Sequence, residues 1–347
     1  MTSMTPRERV IASLEHRQPD ATPYHVTFTA PARRKMIEYY GDPEFESRLG
    51  NCLVIIDTAP PQRGVAGRPG VEEDEFGVQW DKTIDTDIGS VCNTRITQET
   101  FKEYRFPDPE DPARFSGFPS ALRQKEEKLV LASLGFSLFE RAWTLAGMEN
   151  VLIAMIDDKA FINDLLDAIL EHALSVTRRA LSFDIDGMRF GDDWGHQRGL
   201  IMGPVLWREL IKPRIRKLYG LVKSRGKKVF IHSCGKIDEL FPDLIECGVD
   251  AFNPFQPEVL DVEGIKERHG AQMTFFGGIS TQKTLPYASA AQVKNEVTRL
   301  IQRIGKGGGY IASPAHDIPK DAKPENVAAM LEVLQGQHGV ETRRQHS

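Results

Sequence analysis

The residues best equipped for chemistry stand at the end of one short apolar run. Val229, Phe230 and Ile231 lead directly into His232, Ser233, Cys234 and Gly235. A β-branched and aromatic run of this kind reads as a buried strand, and Gly235 permits a sharp turn after it. Side chains two apart on a strand share a face, so His232 and Cys234 can converge as an imidazole and a thiolate, a zinc-type ligand pair. The plainer alternative is a core His beside a core Cys, since free Cys is commonly buried.

Other strand ends carry groups of the same kind. His316 follows Ser313, Pro314 and Ala315, and it can supply a third ligand, leaving the open fourth position of a catalytic zinc site. Asp192 and Asp193 close another strand and can act as a ligand, or as a hydrogen-bond partner that orients a ligating His. Asn253 and Gln256 end a further one. Asp57 is similarly placed, although a helix N-cap accounts for it equally well. Arg33 and Arg34 can grip a carboxylate bidentately, though arginines exposed on a helix are the commoner case.

The elements that must position these groups alternate regularly. Strand candidates at 22–28, 53–56, 129–134, 187–190, 229–231, 251–254, 273–276 and 310–312 are separated by helical stretches, several of ten or more residues. Short apolar strands joined by helices imply parallel βαβ units buried on both faces. The count favours a closed (β/α)8 TIM barrel, whose active site lies at the C-terminal strand ends. Residues 64–109 break the rhythm with Gly, Asp, Glu and short β pieces, and read as a small antiparallel insertion. The run Glu72-Glu73-Asp74-Glu75 within it reads as a solvated surface. One domain over residues 1–335 and a polar tail over 336–347 complete the expected organisation.

Composition narrows the class. With 44 Lys plus Arg against 49 Asp plus Glu among 347 residues, the formal charge is 44 − 49 = −5, and no basic stripe suits nucleic acid. The four cysteines are sparse and irregularly spaced, unlike a disulfide framework. No stretch reaches the roughly 20 apolar residues of a membrane span, and Met1 to Arg9 lack the apolar core of a signal peptide. A cytoplasmic protein is the expectation.

Together the motifs resemble the uroporphyrinogen decarboxylase superfamily over nearly the whole chain. Thr5-Pro6-Arg7-Glu8-Arg9-Val10 with His16 and Pro19-Asp20 is similar to the start of many members. Gly191-Asp192-Asp193 with Gln197 and Gly203-Pro204 is similar to a second stretch. The most specific is Phe230 to Gly235, followed by Gly248-Val249-Asp250, Asn253-Pro254 and Gln256-Pro257. Phe276-Gly277-Gly278-Ile279 and the strand from Gly307 to Pro314 complete it. The resemblance implies the same (β/α)8 barrel.

True uroporphyrinogen decarboxylases carry an arginine-rich N-terminal signature ending in Gly-Arg-Tyr, which is absent from Tyr24 to Arg34. The other branch, corrinoid-linked methyltransferases, binds zinc through His-x-Cys and a later Cys. Here His232 and Cys234 match the pair, and His316 stands in place of the later Cys. The resemblance thus implies a zinc-dependent methyltransferase moving a methyl group between a small thiol or oxygen substrate and a corrinoid on a partner protein. Asp192, Asp193 and Asp57 would serve catalysis, while Gln197, Asn253, Gln256, Arg33 and Arg34 would bind substrate. A homodimer is common in the family. Two alternatives stay open: a carboxylate decarboxylase or lyase, and a non-catalytic corrinoid- or metabolite-binding barrel.

Overall fold

The computed structural model describes residues 3–339 apart from 85, 87 and 88. Seven parallel strands pair in chain order: β1 (Leu53–Asp57), β2 (Leu129–Leu134), β3 (Gly187–Gly191), β4 (Lys228–His232), β5 (Ala251–Phe255), β6 (Thr274–Ile279) and β7 (Tyr310–Pro314). The stretch expected as the first strand, residues 22–28, is not a regular strand, yet it fills the gap between β7 and β1. The Ala312 N–H donates to the Pro23 carbonyl at 2.9 Å and the His25 N–H to the Ala312 carbonyl at 3.0 Å. On its other edge the Cys52 N–H donates to the Tyr24 carbonyl at 3.0 Å. Pro23 has no N–H to give a ladder, and the Asn51 amide brackets Val26 instead, at 2.8 and 2.9 Å. The stave closes the barrel through these substitutes.

Strand alternation sorts the side chains into three zones. Val130, Met188, Phe190, Val229, Ile231, Phe252 and Phe275 point outward into the main core, beneath the helices. Leu53, Leu129, Leu131, Phe230, Ala251, Phe276 and Ile311 point inward, with Val10 and Leu14 beside them. Those two come from the helix Pro6–Leu14, begun by a capping box between Thr5 and Glu8. Two residues further along the strands the inward positions turn polar: Asp57, Ser133, His232, Asn253 and Ser313. The apolar floor therefore holds up a polar layer at the C-terminal strand ends.

The insertion is a four-stranded antiparallel sheet of Arg63–Gly64, Val71–Glu73, Gln79–Asp81 and Ser90–Val91. The last strand stops at Val91, and beyond it the Arg95 and Ile96 N–H groups donate to the Leu145 carbonyl, docking the insertion on the barrel. The second half of the acidic run, Asp74 and Glu75, is not a solvated surface, whereas Glu72 stays half-exposed beside Lys82. The Asp74 carboxylate accepts from the Phe76 and Val78 N–H groups and pairs with Arg141 at 2.7 Å. Glu75 pairs with Arg114, whose side chain is wholly buried. These charges are spent inward because two arginines beneath the hairpin need partners.

At the C-terminal end, the helix Pro324–Gln335 runs into a 3-10 turn, Gly336–Gly339. The Gln337 side chain binds both the N–H and the carbonyl of Thr22, at 2.9 and 3.0 Å. The remainder of the expected polar tail, residues 340–347, lies outside the described residues.

Candidate metal centre

Parallel register sets the geometry. His232 of β4 stands opposite Gly191 of β3 and Asn253 of β5, while Ser133 of β2 aligns with Asp57 and Arg189. His232 and Cys234 face one way, and Ser233 between them faces the other, its hydroxyl accepting from the Trp194 N–H at 3.0 Å. The His232 Nε2 lies 3.4 Å from the Cys234 Sγ. His316, just past β7, brings its ring centroid 5.7 Å from that of His232. One ligand atom from each of the three lies within 4.8 Å of the others. Two imidazoles and one thiol at that spacing form a borderline-soft donor set that fits zinc.

Neighbouring groups prepare these donors. The Asn253 amide N–H donates to the Phe276 carbonyl at 3.0 Å, which turns its oxygen toward the His232 Nδ1, 2.6 Å away. Nδ1 must then carry the hydrogen, and Nε2 keeps its lone pair toward Cys234. Burial, then the charge of Arg189, lowers the His232 imidazole to about 3, so it stays neutral and able to ligate. Burial, then the Asp193 carboxylate, pushes the Cys234 thiol up. A cation at this point would reverse that and release the thiol proton. The Asp193 Oδ1 also accepts from the Cys234 N–H at 2.8 Å, fixing the backbone of the ligand loop. Gly235 then turns at φ +86°, where a Cβ would stand 2.4 Å from the Gly195 carbonyl carbon, so only glycine lets the loop lie on that hairpin.

The other residues expected in the site separate. Asp192 is 1 % exposed. Its carboxylate accepts from the Leu138, Phe139 and Glu140 N–H groups at 3.3, 3.0 and 2.8 Å, and from the Trp194 indole at 2.6 Å. It anchors the start of the helix Phe139–Ala146 and has no face left for substrate. Asp57 lies at the open end of β1, beside Ser133 and within the field of Arg189. Gln256 is buried just after β5, and Gln197 is exposed in the hairpin of Gly195–His196 and Gly199–Leu200. Arg33 and Arg34 lie exposed on the helix Ala30–Tyr40. Arg33 is engaged by Glu46 at 2.6 Å, and no hydrogen bond or ion pair joins either arginine to the cluster among the described residues.

Three further residues enter the site from positions that read as ordinary strand or helix. Arg189 reaches the cluster from β3, with Nη2 3.1 Å from the His232 Nδ1 and 3.4 Å from the Asn253 oxygen. His25, 7 % exposed, has no partner on either ring nitrogen. Burial, then Arg189, holds it down to about 4. Burial, followed by the Asp193 and Asp192 charges, raises the Glu140 carboxyl well above the usual range, partly offset by the Asp193 backbone. Glu140 also lines a cavity of about 770 Å³ with Phe136, Trp143 and Met148, whose far side is Trp80 and Ser90 of the insertion. The signal for Arg189 and His25 is a basic residue at an inward position of a barrel stave. Glu140 has no such signal, because a helical acid usually faces water.

A family model described as "Uroporphyrinogen decarboxylase (URO-D)" matches residues 72–336. A uroporphyrinogen decarboxylase of Methylococcus capsulatus is 22% identical over 243 residues, 66% of each chain. One of Pseudomonas fluorescens is 23% identical over 181 residues, 51% of this chain and 49% of that one. The chain thus spans 66% and 49% of the length of these two relatives. In fold it is similar to a methyltransferase from Methanosarcina mazei, with a TM-score of 0.72 at 16% identity, covering 97% of this chain and 100% of the other. Among the described residues no helix is long and apolar enough to cross a membrane.

Proposed function

The chain belongs to the uroporphyrinogen decarboxylase family, and from that premise we propose that it is a zinc-dependent methyltransferase. It would move a methyl group between a small thiol or oxygen substrate and a corrinoid carried by a partner protein. The single observation behind this reading is the mutual approach of the His232, Cys234 and His316 ligand atoms to within 4.8 Å. A zinc ion held by these three would act as a Lewis acid and lower the pKa of a thiol or hydroxyl at the open position.

The chain's own groups do the rest. Asn253 holds the imidazole of His232 in the ligating tautomer. Asp193 fixes the Cys234 backbone, and its carboxylate would take the proton released beside that position. The decarboxylase reading has the names of the curated relatives in its favour but leaves this donor set unused.

Elemental analysis of the purified protein beside Cys234→Ala and His232→Ala tests the proposal. One equivalent of zinc in the parent and its loss in both variants, together with loss of methyl transfer, is the expected result. A parent without metal, or activity unchanged in Cys234→Ala, would overturn it.

A further inference from the structure

Arg189 is a charge the metal site does not need. It projects from β3 into the polar layer of the barrel, next to His232, yet no carboxylate comes within ion-pair distance of it among the described residues. Asp57, Asp193 and Asp317 act on it only through their fields. Asp317 is engaged by Thr27 and Asp57 by Ser133.

The hydrogen-bond count leaves the guanidinium underused. A guanidinium has five N–H donors. Nε is closed off without a partner, and Nη1 donates to nothing among the described residues. Nη2 has two neighbours, but neither serves it well. The His232 Nδ1 already carries the hydrogen that Asn253 requires, and the Asn253 oxygen accepts from Nη2 only at 3.4 Å, beside the shorter bond it accepts from His232 at 2.6 Å. The nearby His25 ring adds two more buried nitrogens without partners. Unsatisfied cationic and polar donors inside a barrel are costly unless something completes them.

We propose that Arg189 is the substrate-anchoring residue, and that the substrate carries a carboxylate which docks on its free Nη1 edge beside the His232, Cys234 and His316 cluster. The substrate class is therefore a small anionic thiol or hydroxy compound, held at its acid end by Arg189 with its sulfur or oxygen at the cluster. A planar guanidinium suits a carboxylate better than any other common side chain does. The cation role that the sequence suggested for Arg33 and Arg34 falls instead to an inward strand position. The reacting group of this substrate rests on the methyltransferase reading, whereas the anion site stands on Arg189 alone.

Isothermal titration calorimetry separates the two. The zinc-loaded protein is titrated with 3-mercaptopropionate and with its uncharged counterpart 3-mercaptopropan-1-ol. The Cys234→Ala variant is titrated with propionate and propan-1-ol. We expect the acid to bind at least about tenfold more tightly than the alcohol in both proteins. Arg189→Gln abolishes that preference, and Arg189→Lys, which keeps the charge, retains part of it; circular dichroism and the unfolding midpoint confirm that each variant is folded. Equal affinity for acid and alcohol in the parent, or an undiminished preference in folded Arg189→Gln, overturns the proposal. Acid preference in a protein that takes up no metal leaves the anion site standing and removes only the methyltransferase reading. Metal uptake without acid preference does the reverse.

Discussion

The Asn253 amide oxygen lies 2.6 Å from the His232 Nδ1, and the Asn253 nitrogen is tied to the Phe276 carbonyl at 3.0 Å. The amide cannot flip without losing both bonds, so one residue decides which imidazole nitrogen faces Cys234. Replacing Asn253 with Ala frees the ring and its tautomer. Metal affinity is expected to fall about 10- to 100-fold, the usual consequence of removing such a support. Competition against a chromogenic chelator reads it directly, and an unchanged Kd would remove Asn253 from this role.

Asp192 makes a different prediction from the one its sequence position suggests. Four donors converge on its carboxylate, three of them at the start of the helix Phe139–Ala146. Asp192→Ala strands these donors in a site that is 1 % exposed. The loss is expected to be about 3 kcal/mol of stability or more, seen as a lower urea midpoint, with zinc stoichiometry of the folded protein unchanged. A stable variant that has lost its metal would instead make Asp192 part of the centre.

What could be read from the chain followed the physics of each element. Period and strand length gave the barrel, and the inward pair two residues apart gave His232 and Cys234, because both are local rules. The irregular stave at 22–28 was recognisable as a strand candidate, but Pro23 and the Asn51 bracket that shape it depend on a residue elsewhere in the chain. The same holds for Asp192, whose donors come from a segment some fifty positions earlier. The acidic run at 72–75 looked solvated because its arginine partners, Arg114 and Arg141, are remote in sequence. Arg189 and His25 were visible as residues, but their roles required the barrel to close around them.

The single thiolate at the centre has a spectroscopic consequence. Cobalt(II) replacing zinc should give a thiolate-to-metal charge-transfer band from Cys234 alone. Cys234→Ser should abolish the band, and His316→Cys, which adds a second sulfur at a position within 4.8 Å of the others, should roughly double it. His316→Ala should keep the band while weakening cobalt binding. A band that ignores His316→Cys would place that residue outside the ligand set.

His172 provides a pH test away from the metal. Its ring packs against Phe76, with centroids 5.0 Å apart, and its Nε2 lies 3.4 Å from Arg114. Burial, then Arg114 and Arg141, lowers its pKa from 6.5 to about 3, partly offset by the Pro107 carbonyl. Below pH 6.5 the unfolded chain therefore binds a proton that the folded protein refuses. The stabilising contribution is complete above pH 6.5 and is lost as pH falls toward 3, at roughly 1.4 kcal/mol per pH unit. His172→Phe keeps a ring of similar size in the aromatic pocket and removes the titration. The slope of unfolding free energy against pH between 6 and 4 should then flatten by about one proton. An unchanged slope would mean that His172 charges freely in the folded protein and that the Arg114 contact does not oppose it.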